Sequence, residues 1–97
     1  MLTGAQKTKL RGIGQVTKDM LIIGQAGITP TVLAELKRLL ATHDLVKLRF
    51  TGADRHQRAE LCEAIATQAA CIHVGSVGNT ALFYLENPDA SKRSIEL

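Results

Sequence analysis

Tryptophan is absent from the 97 residues, and cysteine and proline occur only twice each. Without an indole anchor, small and aliphatic side chains must build the interior. The two cysteines, Cys62 and Cys71, are too few for a disulfide framework, and both sit in apolar surroundings. They read as small buried hydrophobes. With His56 and His73 they could be imagined as metal ligands, but neither C-x-x-C nor H-x-x-x-H spacing is present, and no metal is expected. No apolar run nears the length of a bilayer span, and the N-terminus lacks a signal-peptide pattern. A soluble cytoplasmic protein without a membrane partner is expected. There is no G-x-x-x-x-G-K, and no G-x-G-x-x-G follows the first apolar run, which argues against the common nucleotide-binding loops. No Ser or Cys lies in a recognisable nucleophile motif, and His43 and Asp44, adjacent in sequence, need not converge as a base and its orienter. No enzymatic activity, small-molecule substrate or cofactor is expected.

What is present centres on residues 20–30. Met20-Leu21-Ile22-Ile23 reads as a short buried strand, and Gly24-Gln25-Ala26-Gly27 follows as a turn. Thr29 then stands where a helix N-cap belongs, and Pro30 at the first helical position. Ile28 and Leu33 have the spacing of a hydrophobic staple. Strand, glycine loop and capped helix therefore succeed one another in eleven residues. Backbone N–H groups and the positive end of a helix dipole would face solvent there with little side chain in the way. An anion such as a phosphodiester can approach such a place. A lone Gly-x-x-Gly is also often only a tight turn.

The net charge is mild, at +3, but unevenly placed. Lys7, Lys9, Arg11 and Lys18 all precede the first strand, opposed there only by Asp19. Thr3 and Gln6 have capping-box spacing for a first helix, which the glycines at 12 and 14 should stop near Arg11. Val32, Leu33, Leu36, Leu39 and Leu40 form one buried stripe on a second helix ending near His43. Residues 45–51 alternate: Val46, Leu48 and Phe50 point one way, Lys47, Arg49 and Thr51 the other. Asp54 is an N-cap for a third helix with an inner stripe of Leu61, Cys62, Ile65, Ala66 and Ala69. Arg55, His56 and Arg58 crowd its first turns, where cations oppose the dipole. Residues 71–77 and 80–85 are two more strands joined at Gly78-Asn79. The expected order is α-β-α-β-α-β-β: an α/β fold with a mixed four-stranded sheet and the longer helices mainly on one face. The strand–helix–strand pair should be parallel and the last hairpin antiparallel. One domain is expected over residues 1–86, with 87–97 a polar, mobile tail.

Taken in order, Leu2-Thr3, Gln6, Leu10-Arg11-Gly12, the apolar run into Gly24-x-x-Gly27-Ile28-Thr29, the strand from Asp44 to Phe50 and the closing Val77-Gly78-Asn79-Thr80 up to Tyr84 resemble the CRM domain (chloroplast RNA splicing and ribosome maturation) in its stand-alone bacterial form, the YhbY type. The likeness covers about residues 2–85. It implies a fold similar to the C-terminal domain of translation initiation factor three. It also implies RNA as partner, specifically ribosomal RNA in precursors of the large subunit, met through the glycine loop much as KH domains meet it. On that basis Gly24, Gln25, Ala26, Gly27 and Thr29 are expected at the RNA, flanked by Lys7, Lys9, Arg11, Lys18, Lys47 and Arg49. Two positions depart from the family pattern: the loop carries Gln25-Ala26 where a cation is common, and Leu85 follows Tyr84 where Arg is common. A protein-interaction module on ribosomal particles, with little RNA affinity of its own, is the alternative.

Overall fold

In the computed structural model, which describes residues 2–95 and 97, helices and strands follow one another in the order the sequence implies. Helix α1 spans Gly4–Gln15, strand β1 Leu21–Ile23, helix α2 Pro30–His43 and strand β2 Leu45–Phe50. Helix α3 spans Arg55–Gln68, and strands β3 and β4 cover Ile72–Val77 and Thr80–Tyr84. The sheet order is β1-β2-β4-β3. β1 pairs with β2 in parallel, and β4 enters between β2 and β3, antiparallel to both.

Local chemistry starts each helix. The Thr3 side chain accepts from the Gln6 amide at 3.1 Å while Gln6 Oε1 accepts from the Thr3 amide at 2.9 Å, closing the capping box on α1. Thr29 Oγ1 accepts from the Val32 amide at 3.1 Å, with Pro30 as the first helical residue. Asp54 and Gln57 form a second capping box at α3.

The alternation of β2 then divides the packing. Val46, Leu48 and Phe50 meet Leu36, Leu39 and Leu40 of α2 and Cys62, Ile65 and Ala69 of α3 in the larger core. Leu45 points to the opposite face, where Leu10 of α1, Val74, Leu82 and Tyr84 form a smaller one. Every aromatic side chain is buried: Phe50, Phe83 and Tyr84.

Helix α1 departs from the sequence expectation. The glycines predict a stop near Arg11, yet the helix continues to Gln15. Gly14 is buried, and a Cβ placed there would lie 2.3 Å from Leu82 Cδ1. This glycine lets the helix approach the sheet closely and does not end it.

The segment after Tyr84, for which the sequence pattern gives no element, is laid against the end of α2. Asn87 Nδ2 donates to the Ala41 carbonyl at 3.2 Å and Ser94 Oγ to that of Thr42 at 2.9 Å. The Ser94 amide donates to Asp44 Oδ2 at 2.8 Å, and Ile95 packs on the smaller core. Asp44 is fully buried and caps α2 with a φ of 61°. These bonds cross the expected boundary between a domain at 1–86 and a tail at 87–97.

Candidate nucleic-acid interface

The C-terminal ends of β1 and β2 lie side by side, so the chain leaving each strand emerges at one end of the sheet. From β1 comes the glycine loop, from β2 residues 51–54, and each leads into a helix N-terminus. In the loop the Gly27 amide donates to the Gly24 carbonyl at 3.0 Å, which closes a turn. Gly27 has a φ of +70° and so occupies the left-handed region that favours glycine. Gly24 does not. Its φ lies outside that region, and a Cβ there would meet nothing nearer than Thr51 Oγ1 at 3.8 Å, an ordinary contact. Nothing inside the fold requires glycine at position 24. Gly24, Gln25 and Ala26 are exposed, while Gly27 and Thr29 are half-buried.

The loop is braced from the α3 side. Gln25 lies across Gly52, where a Cβ would stand 3.0 Å from Gln25 Cγ, and Gly52 itself has a φ of +77°. Between loop and α3 is a shallow depression of about 530 Å³ lined in part by Ala53, Gln57 and Leu61. Thr51, Gly52 and Ala53 are absent from the sequence-derived set. Only the Gly52 break between strand and helix could have hinted at them, because the contact joins residues 27 positions apart.

The flanking cations divide differently. Lys47 and Arg49 alternate away from the larger core and project to the face that α1 covers. Lys47 Nζ donates to the carbonyls of Gly14 at 3.1 Å and Thr17 at 3.2 Å, at the C-terminal end of α1. α1 has no basic residue in its own last turn, so a cation from β2 meets the negative end of its dipole. Arg49 Nε donates to Asp19 Oδ2 at 2.6 Å. Arg11 is exposed and lies over Gly75, where a Cβ would be 3.2 Å from Arg11 Nε. The register of β3 shifts between His73 and Gly75, beside that contact. Arg11 and Lys47 line a common cleft of about 530 Å³ with Gln15, Val77 and Thr80. Lys7 is half-buried, and Lys9 and Lys18 are exposed. The structure therefore gathers the loop residues at one end of the sheet and Arg11, Lys47 and Arg49 on the α1 face.

The remaining reactive groups are quiet. Burial pushes the Cys71 thiol up to about 11 and raises that of Cys62 as well, so neither is a thiolate at neutral pH. His73 Nε2 and Ser76 Oγ lie 2.9 Å apart, and His73 stacks on Phe83 with ring centres 5.2 Å apart. Burial holds His73 below its usual range. Among the described residues no group of three or more His, Cys, Asp or Glu could hold a metal ion, and no helix is long and apolar enough to cross a membrane.

The chain is similar to several known proteins. A Pseudomonas aeruginosa protein named as a probable RNA-binding protein is 38% identical over 91 residues, covering 94% of this chain and 88% of its own. A Haemophilus influenzae protein named as an RNA-binding protein is 29% identical over 89 residues, covering 92% and 90%. The solution structure of a hypothetical Staphylococcus aureus protein, proposed to bind RNA, superposes with a TM-score of 0.82 at 24% identity, covering 93% of this chain and 94% of that one. That likeness shows the fold. The family model of the CRS1/YhbY (CRM) domain matches residues 2–84, and the chain belongs to that family.

Proposed function

We propose that this chain binds RNA, that its target is ribosomal RNA during assembly of the large ribosomal subunit in the cytoplasm, and that the glycine loop at the start of α2 meets the strand. Family membership and the RNA-binding names of its relatives support the RNA partner. The observation that carries the site is Gly24: glycine where the fold needs none, exposed, next to a helix N-terminus. Such a position admits close backbone approach by an outside anion. With Phe50, Phe83 and Tyr84 buried, no Phe or Tyr ring is free to stack on a base, which favours contact through phosphates and sugars.

Replacing Gln25 and Ala26 together by Asp tests the loop. Two acids beside a helix N-terminus suit its dipole, so thermal stability should hold or rise slightly. A phosphate would be repelled, and affinity for RNA should fall at least tenfold, or about 1.4 kcal/mol. Wild-type affinity should also fall with salt, with a log–log slope near −3 for about four contacts to single-stranded RNA. Equal binding by wild type and the acidic pair would make the loop only a turn. Sedimentation of extract with and without RNase tests the particle: the protein should travel with large-subunit precursors only while RNA is intact.

A second reading, docking on a protein of the ribosomal particle, is favoured by one observation. Strand register sets Ile22, Arg49, Thr80 and Val77 in a row on the α1 face, with Val77 and Thr80 at the edge of the cleft that Arg11 and Gln15 line. Val77 is 78% exposed and Ile22 59%. This reading predicts weak binding to naked RNA, indifferent to replacement of the basic residues.

A further inference from the structure

We infer that the groove between the first turns of α3 and the β3–β4 hairpin is a second RNA-backbone subsite, taking consecutive phosphates of the strand that passes the glycine loop. It rests on the RNA-binding reading above and assigns to Arg55 and Arg58 a role that the loop residues lack the charge to fill.

The groove has a volume of about 430 Å³ and is lined by Arg55, Arg58, His73, Ser76 and Gly78 over a floor of Phe50. No carboxylate is among its lining residues. The helix itself sorts its charges. Glu60 lies on the flank toward the glycine loop and pairs with His56 at 3.0 Å, while Arg55 and Arg58 face the hairpin. They stand three residues apart, hence neighbours on one helix face. Both sit in the first turns, where a cation opposes the dipole, and the nearest acid is the N-cap Asp54, whose carboxylate is engaged by the Gln57 amide. The capping box already takes up the amides of Asp54 and Gln57 at that terminus, and the arginine side chains supply the charge. Arg58 is half-buried and held by Nη1, which donates to the Ala53 carbonyl at 2.8 Å, leaving further guanidinium N–H groups to present. Arg55 is exposed. Two guanidiniums on one helix face, one of them anchored, suit a partner that brings negative charge in a row.

Continuity with the loop sets the ligand. Gln25 rests on Gly52, and only Ala53 and Asp54 separate that residue from Arg55. A strand crossing the uncharged loop reaches the two arginines along one edge of the molecule.

Anisotropy titration of a fluorescein-labelled oligouridylate against wild type, Arg55→Glu, Arg55→Gln and the acidic loop pair tests the assignment. Arg55→Glu should bind at least tenfold more weakly, with the log–log salt slope shallower by about 0.7 for one lost phosphate contact. Arg55→Gln should fall between it and wild type. Thermal melting should be unchanged or slightly raised in Arg55→Glu, since an acid suits that terminus. Binding of Arg55→Glu within twofold of a wild type that itself binds would overturn the groove and leave the loop standing. A wild type that does not bind the oligonucleotide would overturn the RNA reading and the groove with it. Loss by Arg55→Glu with none by the acidic loop pair would support the groove and overturn the loop.

Discussion

The two faces of the sheet solve the same problem with different means. On one, α2 and α3 lay continuous aliphatic stripes on Val46, Leu48, Phe50 and Phe83, and hydrophobic burial seals the contact. On the other, a single helix covers part of the surface. Its approach depends on Gly14 against Leu82, and its end is held by the Lys47 ammonium on two carbonyls. Beyond it, Arg49 is taken up by Asp19. The face that the sequence marks as basic therefore uses much of its charge on itself. A count of cations in a strand is an upper bound on what a ligand can use, because a thinly covered face draws on polar groups to close.

The sharpest way to break that comparison is to remove packing from each face in turn. Leu36→Ala, in the larger core, should cost roughly 2–5 kcal/mol in a urea titration, through lost burial and a cavity. Leu10, fully buried in the smaller core, should fall in the same range if α1 is an integral layer. A Leu10→Ala cost below about 1 kcal/mol would show α1 to be loosely held.

Lys47→Met separates structural charge from available charge. Methionine keeps the apolar stem but leaves the carbonyls of Gly14 and Thr17 without their donor. A loss of about 1.5–3 kcal/mol is expected, as for hydrogen bonds to charged groups. If Lys47→Met instead left stability unchanged and weakened RNA binding, the residue would be a ligand contact and not a helix cap.

The smallest effect lies within the loop itself. Gly27→Ala should cost about 1–2 kcal/mol, because its φ of +70° penalises a Cβ. Gly24→Ala should stay within about 0.5 kcal/mol of wild type in stability while weakening RNA binding. Equal loss of stability at both positions would remove the distinction on which the proposed contact rests.

Much of the fold was legible because its signals are short-range. Thr3, Thr29 and Asp54 announce helix starts through bonds spanning three residues. The stripe on α2 and the alternation of β2 need only the periods of helix and strand. The glycine loop was equally legible as a loop, although Gly24 and Gly27 look alike in sequence and differ in the structure. The end of α1 was misjudged because Gly12 and Gly14 read as punctuation until Leu82, 68 residues on, is seen to occupy the space a side chain would need.

By itself the sequence determined the order of elements, the caps that start the helices, and the juxtaposition of a glycine turn with a helix N-terminus. Each follows from interactions among neighbours, where geometry comes almost directly from residue type. Only the tertiary structure decided that β4 inserts between β2 and β3, which cations are spent, and which are left facing a groove. Those outcomes depend on partners such as Lys47 and Gly14, 33 residues apart. Residue type names what a side chain can bond, and the packed chain sets what lies within its reach.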